Sequence, residues 1–131
     1  MGESPLELQL AQQIRDAGLP EPAQQYHFAR DIVGHGRGIR KRLAAAGLKD
    51  WRWDFSWSGA GNGGGKVAVE VQGATHARGK HTRGLGYEDD CAKLNAGQLD
   101  GWRVFWFTAG MLDRDEAIPV LKQALKGETA E

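Results

Sequence analysis

The sequence predicts an α/β fold on three observations. Aromatic residues alternate with polar ones in Trp51-Arg52-Trp53-Asp54-Phe55-Ser56-Trp57, and valines take every second position in Val67-Ala68-Val69-Glu70-Val71-Gln72. Period 2 is the mark of a strand, and the glycine-rich run between the two predicts a hairpin. A helical stretch then leads into the nearly continuous apolar run Trp102–Thr108, which completes a β-α-β unit.

The first element is a helix over residues 4–17. Ser4 can cap it, Pro5 suits its first position, and Glu7 stands where a capping box needs it. Leu6, Leu8, Leu10, Ile14 and Ala17 form its apolar stripe, and Gly18 with Pro20 ends it. Residues 30–52 hold seven basic side chains against Asp31 and Asp50. Gly34, Gly36 and Gly38 make the first half of this stretch a loop, and Ile39–Ala46 can form a short helix closed by Gly47. Residues 58–65 are read as the hairpin turn and 74–86 as a His- and Arg-rich loop. A helix is expected from about Tyr87 to Leu99, closed by Gly101. Trp102–Thr108 is expected to lie in the middle of the sheet, buried on both faces. A last helix over 113–126 contains Pro119, so its first turn is kinked or starts late.

A chain of 131 residues fits one domain, 1–131, with the basic segment at about 30–50 as an insertion. Lys plus Arg and Asp plus Glu both total 17, so no net field marks a polyanionic partner. The single Cys91 excludes an intramolecular disulfide and a Cys-rich zinc module. No apolar run exceeds four residues and the start has no signal-peptide pattern, so the expected setting is soluble and cytoplasmic, with no membrane partner.

The polar positions of the hairpin carry the functional reading. With the turn centred near Asn62 the pairing sum is about 124, which puts Asp54 opposite or diagonal to Glu70. Facing carboxylates destabilise a strand pair, and Glu70 is the only charge between valines. A divalent cation between them explains the placement; a solvated outer face is the plainer alternative. Glu7 is a third acidic candidate, or simply the capping-box partner of Ser4. Lys93 shares a helix face with Asp90 and can reach the site if that face looks at the hairpin. Arg37, Arg40, Lys41, Arg42 and Arg52 in the basic stretch, with His76, Arg78, Lys80, His81 and Arg83 in the loop, are candidate contacts to a nucleic-acid backbone. His76, His81 and Cys91 match no zinc-finger spacing.

Asp54, a glycine-rich turn and Val69-Glu70-Val71-Gln72 resemble the D…(D/E)xK core of the PD-(D/E)XK nuclease superfamily. The likeness extends to small phage and prophage-type members related to very-short-patch repair endonucleases. Its carriers are Gly79-Lys80-His81-Thr82-Arg83-Gly84, Tyr87 with Asp90-Cys91-Ala92-Lys93, and Gly101-Trp102-Arg103-Val104-Phe105-Trp106-Phe107-Thr108. They are similar to the H-x-R-G…D-x-x-K/R…G-W-x-V-x-x-F tail of those proteins. The match covers 4–18 and 51–126. It implies a restriction-endonuclease-like αβββαβ core with a mixed central sheet flanked by helices, and a Mg²⁺-dependent DNA endonuclease in which Mn²⁺ substitutes. It also implies Asp54, Glu70 and Glu7 as metal ligands. Two departures stand out. Gln72 replaces the motif lysine, a role that Lys93, or second Lys80, would take over, and the 30–50 segment looks like an insertion that close relatives need not have. A homodimer is compatible with cutting two strands from one site per chain. The competing readings are a catalytically degenerate DNA-binding module, marked by Gln72, and a protein-interaction domain, which requires Trp51, Trp53 and Trp57 to be exposed.

Overall fold

A computed structural model describes residues 4–59, 65–73 and 85–126. The elements are α1 (Pro5–Asp16), β1 (Ala23–Tyr26), α2 (Phe28–Val33), α3 (Ile39–Ala45), β2 (Trp53–Ser58), β3 (Lys66–Gln72), α4 (Leu85–Leu99), β4 (Trp102–Thr108), α5 (Ala109–Asp113) and α6 (Ala117–Lys126). Among the described residues the four strands form one mixed sheet in the order β1-β2-β3-β4. β1/β2 and β2/β3 are antiparallel, and β3/β4, joined through α4, is parallel.

The hairpin has the expected register. Phe55 pairs with Val69 and Trp57 with Val67, and the ladder ends there, with Asp54 and Glu70 the next residues beyond it. α1 opens as expected: Ser4 Oγ accepts the Glu7 N–H at 3.1 Å, while the Ser4 N–H donates to Glu7 Oε1 at 3.3 Å. Gly47, at φ +76°, follows the predicted short helix α3. The centre of the hairpin turn and the loop at 74–84 lie outside the described residues.

Helices cover the sheet on both faces, so β2 is not the half-buried strand that its alternation predicts. On one face Phe55, Trp57, Val67, Val69 and Phe107 pack with Leu10 and Ile14 of α1, Leu112 of α5 and Leu121 of α6. On the other, Trp53, Ala68 and Trp102 pack with Phe28 of α2 and Leu43 of α3. Trp53 and Phe55, two residues apart, thus face opposite sides, and the alternation slips at Asp54. The Phe28 and Trp53 rings stack with centroids 4.1 Å apart, anchoring this second core.

Two further readings are corrected. β1 and α2 occupy a stretch that carries no periodic signal: Ala23–Tyr26 reads AQQY, and Phe28–Val33 spans under two helical turns. Among the described residues β4 is an edge strand, not a central one; its apolar run reflects helices on both faces, while Arg103 and Thr108 are exposed. The predicted C-terminal helix starts late, as its proline leads one to expect, and a short helix that the sequence did not announce precedes it. Thr108 caps α5, Asp115 turns the chain at φ +58°, and α6 starts late enough to hold Pro119 in its first turn.

Candidate active site

Asp54 and Glu70 meet where the β2 alternation slips. Each strand lends a carboxylate to the other's backbone. The Asp54 N–H donates to Glu70 Oε2 at 3.1 Å, and the Val71 N–H donates to Asp54 Oδ2 at 2.8 Å. Glu70 is therefore fixed on the α4 side of the sheet with one oxygen occupied. Its other oxygen, Oε1, accepts from Lys93 Nζ of α4 at 2.5 Å. Both side chains of this ion pair are largely buried. The ammonium also lies 5.2 Å from the centroid of the Trp53 ring, a cation–π contact. The partner of Lys93 is Glu70, not Asp90.

The approach of α4 depends on Gly97, one helical turn beyond Lys93. A Cβ there would stand 2.5 Å from Cζ2 of Trp53. The missing side chain lets the helix settle onto the indole, and the same turn sets Lys93 over Glu70.

Glu7, Asp54, Glu70, Gln72 and Lys93, all five catalytic candidates, line one cleft of about 410 Å³. Asp90, Leu94 and Trp106 contribute to its walls as well. Of these, Trp106 is the residue the sequence reading missed, because an unbroken apolar run hides which of its members reaches solvent. A second, smaller hollow of about 240 Å³ beside Tyr26, Ser56 and Trp57 contains none of the candidates.

Burial pushes the Glu70 carboxyl up to about 7 from an ordinary value near 4.5, and the Asp54 charge adds to this while Lys93 opposes it. The folded protein therefore holds a proton at Glu70 that the unfolded chain releases between pH 4.5 and 7. The stability this contributes is full below pH 4.5 and is lost as pH rises through 7. Urea unfolding measured from pH 4.5 to 8 is expected to show this decline, with Glu70→Gln flattening it; an unchanged slope in that variant would place the titration elsewhere. Any cation bound at this carboxylate would compete with the same proton.

The donor set suits a hard divalent ion. Two carboxylates share one site, the burial of one is electrostatically unfavourable, and Mg²⁺ is commonly held by one or two protein carboxylates, completing its shell with water and phosphate. Among the described residues no three His, Cys, Asp or Glu side chains are grouped as a cation cage. Glu7 lines the cleft, but its carboxylate serves the capping box and does not join Asp54 and Glu70 in such a group.

Of the candidate backbone contacts, Arg37, Arg40, Lys41 and Arg52 are exposed. Arg42 is employed differently. Its Nε donates to the Val33 carbonyl at 2.9 Å, and its terminal nitrogens donate to the carbonyls of Gly34, His35 and Arg37. It is a clasp for the glycine loop, its guanidinium engaged by backbone carbonyls. His76, Arg78, Lys80, His81 and Arg83 lie outside the described residues. Trp51, Trp53 and Trp57 are 8%, 1% and 5% exposed, which removes the premise of the aromatic interaction surface. Among the described residues no helix is long and apolar enough to cross a membrane. Compared with models of known protein families, with curated proteins and with solved structures, the chain matches none.

Proposed function

We propose that this protein is a metal-dependent DNA endonuclease with a restriction-endonuclease-like core, acting in the cytoplasm of a bacterial or phage-infected cell in recombination, repair or DNA processing. The observation that carries the reading is the Lys93–Glu70 contact beside Asp54. The resemblance requires a lysine next to the two carboxylates, and position 72 lacks it. α4 brings one to within 2.5 Å of Glu70 from a different element. The order α1, β1, β2, β3, α4, β4 also supports the αβββαβ reading, with α2 and α3 as the segment inserted after the first strand.

In this reading Asp54 and Glu70 would hold Mg²⁺, or Mn²⁺ in its place. The ion, when bound, supplies charge neutralisation at the phosphate and a water acidic enough to attack it. Lys93 has three donors and a charge, which suits it to hold a phosphate oxygen as negative charge builds up. Gln72 lines the same cleft and can donate through its amide, but it carries no charge. Exposed Arg37, Arg40, Lys41 and Arg52 would contribute sequence-independent backbone attraction that falls with salt. A homodimer belongs to the same proposal, as the means of cutting both strands.

The test is cleavage of supercoiled, linear, single-stranded and branched DNA with Mg²⁺, Mn²⁺ or EDTA. Wild type is expected to cut only with metal. Lys93→Ala is expected to lower the rate about 10²–10³-fold, the range for losing one preorganised charge stabiliser. Adding Gln72→Lys to that variant should restore part of the loss, because the second lysine enters the same cleft. Retained, salt-sensitive DNA binding without cleavage of any substrate would sink the enzyme and leave the degenerate binding module.

A further inference from the structure

Trp106 is out of place for a core tryptophan. The other four are at most 8% exposed, whereas Trp106 is 39% exposed. It pairs in register with Glu70 across the parallel β3/β4 ladder, and partners in such a ladder project to the same face. Trp102 and Val104, at the same parity of β4, sit in the core under the α4 side of the sheet. Trp106 continues that stripe beyond the core and forms part of the wall of the cleft. Adjacent strands lie about 4.8 Å apart, so the indole stands within one nucleotide's reach of the carboxylate pair. Leu8, Ile32, Tyr87 and Leu99 are also exposed and large, but none of them lines this cleft.

Resting on the endonuclease reading, we infer that Trp106 is a stacking platform for one unpaired nucleobase beside the scissile phosphate. The preferred substrate is then single-stranded or junction DNA. In an intact duplex every base is stacked on both sides and has no face to offer, so an indole beside the phosphate gains nothing from it. A base in a single strand, flap or branch point is free to turn onto the ring, and stacking of this kind is sequence-tolerant because every base has a π-face. The cleft agrees with that occupant. At about 410 Å³ it is large enough for a nucleotide, with Trp106 and Leu94 as apolar surface and Asp54, Glu70 and Lys93 as the polar end.

The inference is tested by titrating a short single-stranded oligonucleotide and the matching duplex into wild type, Trp106→Ala and Trp106→Phe, with Ca²⁺ in place of Mg²⁺. Trp106→Ala is expected to weaken single-strand binding about tenfold and leave the duplex unchanged, while Trp106→Phe stays near wild type. Intrinsic fluorescence gives a second readout. Acrylamide quenching of the wild type should come chiefly from Trp106, and the single strand should protect it. Equal losses on both DNAs, or no loss on either, would overturn the stacking role while leaving the endonuclease reading intact. If wild type bound neither DNA, the endonuclease reading itself would fail and take this inference with it.

Discussion

Asp54→Asn is expected to abolish metal-dependent cleavage, with a rate loss of at least about 10³-fold, while the protein remains folded. The two outcomes separate because Asp54 has two roles. Its Oδ2 accepts the Val71 N–H at 2.8 Å, and an asparagine oxygen can accept that bond equally well. The hairpin therefore keeps its hydrogen bond. What disappears is the charge, and a cation held by two carboxylates loses half of its anionic support. Removing one stabiliser of developing charge costs 10²–10³-fold in other enzymes, and a metal ligand should cost at least the upper end of that range. Cleavage assays beside urea unfolding decide it. An Asp54→Asn protein cutting at the wild-type rate would exclude Asp54 from the metal site. One that failed to unfold cooperatively would mean the charge itself supports the fold.

Gly97→Ala is the substitution expected to damage the fold most for its size. On propensity alone alanine stabilises a helix by about 1 kcal/mol over glycine. Here the added Cβ would meet Cζ2 and Cη2 of Trp53 at 2.5 and 2.6 Å. That indole is 1% exposed and stacked on Phe28, so it has nowhere to go. Overpacking of this kind typically costs 1–3 kcal/mol, and against the propensity gain we expect the overpacking to win, with a net loss of up to about 2 kcal/mol. Lys93 lies one turn away on the same helix, so displacing α4 also draws the ammonium from Glu70. The urea midpoint should fall, and cleavage should drop even where the variant is fully folded. An unchanged or higher midpoint would show that the ring yields and that propensity decides.

The hairpin and its register were legible because a period of 2 and a short turn leave few pairings, and one of those sets Asp54 against Glu70. Lys93 was legible conditionally: helical spacing fixed its face but not what that face met. The closeness of α4 to Trp53 was not legible, since a glycine inside a helix does not name the ring it admits. Nor was the edge position of β4. Periodicity reports how many faces of a strand are covered, whereas edge or centre depends on hydrogen-bonding neighbours that side chains do not encode. β1 and α2 escaped for a related reason. They are too short for any period to emerge, and tertiary packing of Tyr26 and Phe28 determines them. At the site, the sequence brought out the charged residues, while the partial exposure of Trp106 appears only once the fold is known.

The clasp formed by Arg42 has a consequence for recognition. Gly34, Gly36 and Gly38 all adopt positive φ, and a loop built this way has more conformational entropy to lose than any other part of the insert. One guanidinium gathering four of its carbonyls removes that freedom when the chain folds. Arg37, Arg40 and Lys41 are then displayed on a frame that is already ordered. In the proposed endonuclease less entropy would then remain to be lost on encounter, and this segment would act as a preorganised surface rather than a tether that must be arranged each time.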